Sequence, residues 1–260
     1  YAGAWSDAPY LFSDSAGYMR VARDLQDLRL DKLHERTPGY ALLLLPTGSA
    51  THPTRLLFYA QLVIHYVAVL LLVGVLCRLG VRTAFVIPVV IVSMLPPAVE
   101  PSSWVLTEAL TEFFLASGVA ALLAGLVSTR SRWFWLSGVA LAFCSLTRPT
   151  FQLLGFLLAV VMLLLLVCCP TLRRVRKRFL LAIVALLVTN VMIVGGFVLH
   201  NYVRFQYPGI TAALGFHLGT RTLRVLERLP DEHALARDVL IAHRDRALVK
   251  PHSGHSALGF

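Results

Sequence analysis

A carboxylate that could accept a proton stands close to the start of the chain. Asp14 lies in the run Ser-Asp-Ser-Ala-Gly-Tyr, which ends at Tyr18 and begins a predicted helix. An aspartate in this position can cap the helix through its side chain. It can equally act as a general base that the helix dipole keeps ionised. The residues alone leave both interpretations open.

Two further carboxylates, Glu108 and Glu112, lie one helical turn apart near the start of an apolar segment. At about 1.5 Å of rise per residue they lie about 6 and 12 Å beyond residue 104, inside the predicted span. An intramembrane carboxylate is costly and normally faces a partner or a cavity. The candidate partners are Arg148 and His65. Arg148 could instead snorkel to the interface or serve as a fixed cation for a phosphate.

The elements that must position these residues are membrane helices. Of the 260 residues, 57% are hydrophobic and 15% are charged, whereas soluble domains have about 45–50% apolar and about 25% charged residues. Mean hydropathy is +0.70. This composition excludes a disordered chain, a collagen and a disulfide scaffold, and argues against a soluble enzyme. We expect an all-α fold, a polytopic bundle of transmembrane helices with amphipathic helices beside the membrane.

Apolar windows divide the chain into three regions. Residues 1–54 form a polar segment with amphipathic helices, residues 55–199 form a six-helix transmembrane region, and residues 200–260 form a second polar segment. The predicted spans are 55–77, 84–99, 104–127, 133–148, 150–169 and 179–199. The second span contains Pro88 and ends at Pro96-Pro97, so we expect it to be tilted or broken.

Basic residues predict the orientation. The loops 78–83, 128–132 and 170–178 carry nine basic residues and no acidic residue, which places them in the cytoplasm. Residues 1–54 and 200–260 are then extracytoplasmic. We expect a multi-pass cell-membrane protein, in a bacterial inner membrane, and a fragment that lacks an N-terminal span and C-terminal helices.

The net charge of +10 does not indicate a nucleic-acid partner, because the basic residues form no stripe interleaved with exposed aromatic residues. The four cysteines lie in or beside apolar runs and have no metal-ligand spacing, which favours small buried side chains. Residues 13–30 have the pattern of an amphipathic helix that would lie on the membrane surface. The tail 221–250 is typical of a solvated helix pair.

Four polar segments flank the predicted spans on the same side: Ser13–Tyr18, Glu35–Tyr40, Leu106–Leu110 and Leu146–Pro149. Together they resemble the GT-C superfamily of integral membrane glycosyltransferases. The resemblance is to the branch with the protein O-mannosyltransferases (glycosyltransferase family 39) and the aminoarabinose transferases that act on lipid A. The first segment resembles the family's acidic motif in the first outside loop, the second an Arg-x-Pro-x-Tyr-Pro turn, the third a Thr-Glu-x-Leu motif and the fourth an Arg-Pro turn.

The resemblance implies transfer of a sugar from a polyprenyl-phosphate donor to an acceptor hydroxyl on a glycan, lipid or protein. It implies Asp14 as the general base of an inverting reaction, and Arg36 and Arg148 as cations for the lipid phosphate. Glu35 and Glu108 would orient the sugar or acceptor, or hold a divalent metal where a family member uses one. The further substrate-binding candidates are Tyr18, Asn201 and Arg204.

The chain departs from the family pattern at two places. His200-Asn201 stands where the family often has Arg-Asn, and Arg204, one turn on, could substitute. Ala41 follows Tyr40 where the family has proline. Two other functions stay open on the residues: a transporter or flippase-like protein that uses Glu108, Glu112 and His65 as an ion path, and a structural subunit in which these groups merely pair.

Overall fold

The structure is a computed structural model. It describes residues 8–12, 14–29, 36–128, 130–211, 227 and 230–249, and for 171, 173, 174 and 243–249 it describes the backbone only. The chain divides into two compact units, Tyr1–Ile210 and Thr211–Phe260. The first unit holds the candidate functional residues.

The fold is all-α, as predicted. Within the described residues every regular element is a helix, and a single β-bridge joins Tyr10 to Trp104. The helices of the first unit are α1 Ser15–Gln26, α2 Pro38–Leu44, α3 Arg55–Arg78, α4 Thr83–Met94, α5 Pro96–Val99, α6 Glu108–Val127, α7 Arg132–Thr147, α8 Leu154–Cys168, α9 Arg176–Asn190 and α10 Gly196–Phe205. A π-turn over Val191–Gly195 makes α9 and α10 continuous.

Four helical stretches are long and apolar enough to cross a membrane, and the bent pair Thr83–Met94 and Pro96–Ser103 makes a fifth if it counts as one span. The pair bends by 67°, which confirms the predicted break at the prolines. Helix α7 has 16 residues, about 24 Å at 1.5 Å per residue, against a hydrocarbon core of about 30 Å. The count of six spans therefore stays a prediction. The four stretches are Arg55–Arg78, Glu108–Val127, Pro149–Cys168 and Arg176–Phe205.

Small residues let the long helices approach closely, as is usual where lipid removes the hydrophobic drive for helix association. A Cβ added at Gly118 of α6 would lie 2.7 Å from the Leu141 side chain of α7. The outward face of α8 stays apolar and exposed; Leu157 is 58% exposed and Leu163 46%. Such a face suits contact with lipid.

Helix α1 corrects the expectation that its apolar face would lie on the membrane surface. Tyr18, Val21 and Ala22 are buried. They belong to a core cluster with residues of α2, α3 and α6, among them Leu44 and Leu110. The amphipathic pattern is confirmed, but its apolar face is covered by protein.

The two ends of the bundle differ in their charges, and we name them for that difference. The carboxylate end comprises α1, α2, the N-terminus of α6 and the α7–α8 turn, with Asp14 and Glu108. The arginine end comprises the C-terminus of α3, the α6–α7 connection and the N-terminus of α9, with Arg78, Arg130 and Arg178. Arg178 donates to the Leu126 carbonyl at 3.2 Å, which joins α9 to the end of α6.

In the second unit the structure describes α11 Ala234–Val249 and the turn Asp231–His233 before it. Arg237 pairs with Asp231 at 3.1 Å and with Asp238 at 3.5 Å. The side chains described for residues 234–242 are exposed or partly exposed, which agrees with the predicted solvated tail. Residues 221–226, where the first helix of the predicted pair would begin, lie outside the described residues.

Candidate active site at the carboxylate end

Asp14 forms an ion pair. The Arg36 guanidinium donates from Nη2 to Asp14 Oδ1 at 2.7 Å. Asp14 occupies the N-cap position of α1, yet its side chain makes no cap hydrogen bond. Neighbouring Ser15 satisfies local backbone groups instead: its Oγ accepts from the Phe12 amide and donates to the Val105 carbonyl, both at 2.8 Å. The carboxylate of Asp14 is thus bonded to Arg36 and not to the helix terminus.

Arg36 is held in place by α1. Its guanidinium carbon lies 5.3 Å from the centre of the Tyr18 ring, a cation–π distance. Its side chain passes over Gly17, where an added Cβ would lie 3.2 Å from Arg36 Nε. Burial raises the pKa of Tyr18, against an opposing effect of the positive Arg36. Because Tyr18 is only 7% exposed, it serves this site as a support for Arg36.

The start of α2 contacts the C-terminal end of α7 directly. A Cβ at Gly39 would lie 2.6 Å from the carbonyl carbon and oxygen of Leu146 and 2.7 Å from the Thr147 nitrogen. Only glycine fits such an approach of two backbones. Thr37 adds a long hydrogen bond from Oγ1 to the Thr147 carbonyl at 3.5 Å. This contact brings the segment that carries Arg36 against the segment that carries Arg148.

Arg148 pairs with Glu108. Its Nη1 donates to Glu108 Oε1 at 3.0 Å, and both side chains are partly exposed. Glu108 Oε2 is buried and has no hydrogen-bond partner among the described residues. Both residues line an open cavity of about 450 Å³, together with Glu112 and two threonines, Thr111 and Thr150. Carboxylate, guanidinium and hydroxyl groups thus line one cavity, a set that suits a hydroxylated ligand.

Glu112 pairs with His65, so the structure assigns one partner to each of the two predicted carboxylates. His65 Nδ1 lies 2.9 Å from Glu112 Oε2, and its Nε2 lies 3.0 Å from the Ser93 carbonyl. A carbonyl oxygen only accepts, so Nε2 carries a hydrogen. Each ring nitrogen of His65 thus has one oxygen partner, the first on α6 and the second on α4.

A buried hydrogen-bond network supports the carboxylate end. Tyr40 donates to Gln61 Oε1 at 2.6 Å. Gln61 Nε2 donates to the carbonyls of Ser102 and Trp104 at 2.8 and 3.0 Å. Burial raises the pKa of Tyr40, so its hydroxyl stays a donor. The sequence analysis missed this network. The available signal was Gln61, an amide inside a predicted span.

The remaining predicted site residues are Asn201, Arg204 and Glu35. Asn201 is buried on α10, and its amide donates to the carbonyls of Gly209 and Ile210 at 2.8 and 3.3 Å, so it organises the following loop. Arg204 is exposed on the last turn of α10, and its role stays a prediction. Glu35 lies outside the described residues.

The described residues do not fit a divalent metal. Within them no group of three or more His, Cys, Asp or Glu side chains lies close enough together to hold an ion. The candidate ligand Glu108 already bonds the positive Arg148, which opposes a second cation at that carboxylate.

Comparison of the chain with protein-family models, curated proteins and solved structures found no match. The resemblance described above thus rests on the quoted residues alone.

Proposed function

We propose that this chain belongs to a membrane glycosyltransferase that moves a sugar from a polyprenyl phosphate to an acceptor hydroxyl. One observation carries the proposal. The segments containing Asp14, Arg36, Glu108 and Arg148 are far apart in sequence, yet direct contacts join them at the carboxylate end. The same four segments carry the resemblance. The end would face the extracytoplasmic side, as the basic loops predict.

The two arginines meet the charge of the leaving group. Loss of a lipid phosphate from a sugar needs cations more than it needs a strong acid. Arg36 and Arg148 are each neutralised by a carboxylate here. An incoming phosphate replaces the carboxylate as the partner of each guanidinium. Donor binding at Arg36 would thereby free the Asp14 carboxylate.

The freed Asp14 then acts as the general base. It takes the proton of the acceptor hydroxyl while that oxygen forms a bond to the anomeric carbon. The bond from the anomeric carbon to the phosphate oxygen breaks, and polyprenyl phosphate leaves with the electron pair. Attack from the face opposite the phosphate inverts the anomeric centre. Glu108, which lines the cavity, orients a hydroxyl group of the sugar or acceptor.

A second candidate function, a proton-coupled transporter, is favoured by the His65–Glu112 pair. His65 is buried, with 4% of its side chain exposed, whereas the Glu112 side chain is 48% exposed. Chains of histidine and carboxylate side chains within membrane spans serve as proton relays. Proteoliposomes containing the full-length protein separate the two functions. A proton flux that stops in Glu112→Gln, without any effect on sugar transfer, favours the transporter.

Sugar transfer by the Asp14→Asn variant tests the glycosyltransferase proposal. A lost general base lowers the transfer rate about 10²–10⁴-fold. The matched control is Asp27→Asn, at the C-cap of the same helix, where the carboxylate pairs with Arg29 at 3.0 Å on the surface. The measurement is transfer from a polyprenyl-phosphate sugar by the full-length protein in membranes. We expect Asp27→Asn to retain the wild-type rate.

Two outcomes would contradict the proposal. Wild-type transfer by Asp14→Asn would remove Asp14 from the base role. An equal loss in Asp14→Asn and Asp27→Asn would show that the effect comes from disturbance of α1.

A further inference from the structure

A groove between α3, α6 and α7 reaches the arginine end of the bundle, and it shares no lining residue with the cavity beside Glu108. It has a volume of about 710 Å³ and is lined by α3, α6 and α7, within the range of about 300–1,000 Å³ typical of ligand sites. Small residues such as Gly74 and Ala120 make room for it. A Cβ at Gly74 would meet no atom within 4 Å.

The long dimension of the groove suits a lipid chain. Its lining on α6 extends from Phe113 to Ser128, about 22 Å at 1.5 Å per residue. One leaflet of the hydrocarbon core is about 15 Å thick, half of about 30 Å. The groove therefore accommodates an extended fatty acyl chain along the membrane normal.

The open end of the groove carries positive charge. Arg78 and Arg130 both line it and both are exposed. No described acidic side chain pairs with either arginine. Trp133 lines the groove beside them, and tryptophan is enriched at the level of the lipid headgroups. The apolar part of the groove and its charged end thus have the order of a phospholipid: acyl chain, then phosphate.

We propose that the groove binds one anionic phospholipid, with an acyl chain between α3, α6 and α7 and the phosphate at Arg78 and Arg130. A second copy of the chain fits less well. A two-fold axis along the membrane normal would bring its own arginines to the same level, where like charges repel. The proposal does not depend on glycosyl transfer, because it uses neither Asp14 nor Arg148.

Competition between two phospholipids tests the site. The full-length protein is mixed with equal amounts of phosphatidylglycerol and phosphatidylcholine, and native mass spectrometry counts the retained lipids. We expect one phosphatidylglycerol to be retained in preference. The double variant Arg78→Gln/Arg130→Gln should lower the preference for phosphatidylglycerol over phosphatidylcholine about 30-fold. Each arginine contributes a factor of about five, and the two factors multiply. Arg82→Gln is the matched control, an exposed arginine at the same end that does not line the groove.

A second variant keeps the test decisive if the charge variant does not fold. Ala120→Phe fills the groove and should abolish retention of phosphatidylglycerol, whereas Leu163→Phe, on the exposed face of α8, should preserve it. Equal retention of the two phospholipids, or an equal loss in Arg82→Gln, would overturn the proposal. A dimer that excludes phospholipid would also overturn it.

Discussion

The two ends of the helix bundle hold their arginines in opposite ways. At the carboxylate end Arg36 and Arg148 each bond a carboxylate, at 2.7 and 3.0 Å, and both side chains are partly buried. At the arginine end Arg78 and Arg130 are exposed, and the loops there contain no acidic residue. Short helices and buried hydrogen bonds set the geometry of the first end. At the second end no described acidic side chain holds Arg78 or Arg130 in this way.

This difference separates two uses of positive charge in a membrane protein. Unpaired arginines attract anionic headgroups and determine topology without specific geometry. A paired arginine can exchange its carboxylate for a phosphate, and the exchange changes what that carboxylate can do. We therefore expect substitutions at the carboxylate end to disturb specific contacts, and equivalent substitutions at the arginine end to have small effects on the fold.

The largest effect on stability is expected at Gly39. Alanine there places a Cβ 2.6 Å from the Leu146 backbone, and such overpacking costs about 1–3 kcal/mol of the free energy of unfolding. The control is Gly74→Ala in α3, near the arginine end, where an added Cβ would meet no atom within 4 Å. This variant should be neutral or stabilising, since alanine favours helix. Thermal unfolding of both variants in detergent measures the contrast. Equal melting temperatures would show that the α2–α7 contact is not tight.

A smaller effect is expected for Tyr40→Phe. The change leaves buried Gln61 Oε1 without its donor at 2.6 Å. The cost is about 1–2 kcal/mol, because the packed volume stays nearly the same and no overpacking is added. Tyr59→Phe on α3 is the matched control, because Tyr59 is 58% exposed. Chemical denaturation in detergent compares the two variants. A destabilisation by Tyr59→Phe as large as that by Tyr40→Phe would refute a structural role for the network.

The smallest effect is expected for the Glu108–Arg148 pair itself. Both side chains are partly exposed, 35% and 43%, so solvent screens the attraction, and such pairs contribute about 0.2–1 kcal/mol. A double-mutant cycle with Glu108→Gln and Arg148→Gln measures the coupling. Arg82→Gln, at the arginine end, should leave stability unchanged. A coupling well above that range would mean that the pair is structural, which would weaken its assignment to ligand binding.

Much of the fold follows from the sequence because apolar runs report burial in lipid or protein directly. They located α3, α6 and α8 and the bend at Pro96 within a few residues. They did not define the end of α10, because polar residues from His200 onward continue the helix to Phe205. They also placed the apolar face of α1 against lipid, because an amphipathic pattern does not say which apolar surface covers it.

The candidate site was only partly predictable, for a physical reason. Spacing along a helix shows which residues share a face, so Glu108 and Glu112 were recognised as neighbours. Spacing does not show which faces meet. The pairing of Arg36 with Asp14, and the hydrogen bond from Tyr40 to Gln61, depend on how α1 and α2 pack against the other helices.

Binding of a polyprenyl phosphate tests the central claim, that the arginines of the carboxylate end hold the donor phosphate. Equilibrium binding of farnesyl phosphate to the full-length protein is compared among Arg36→Gln, Arg148→Gln and Arg82→Gln. A lost charge-assisted hydrogen bond lowers affinity about 10–150-fold, so we predict this loss for the first two variants and wild-type affinity for Arg82→Gln. Wild-type affinity in both Arg36→Gln and Arg148→Gln would contradict the account.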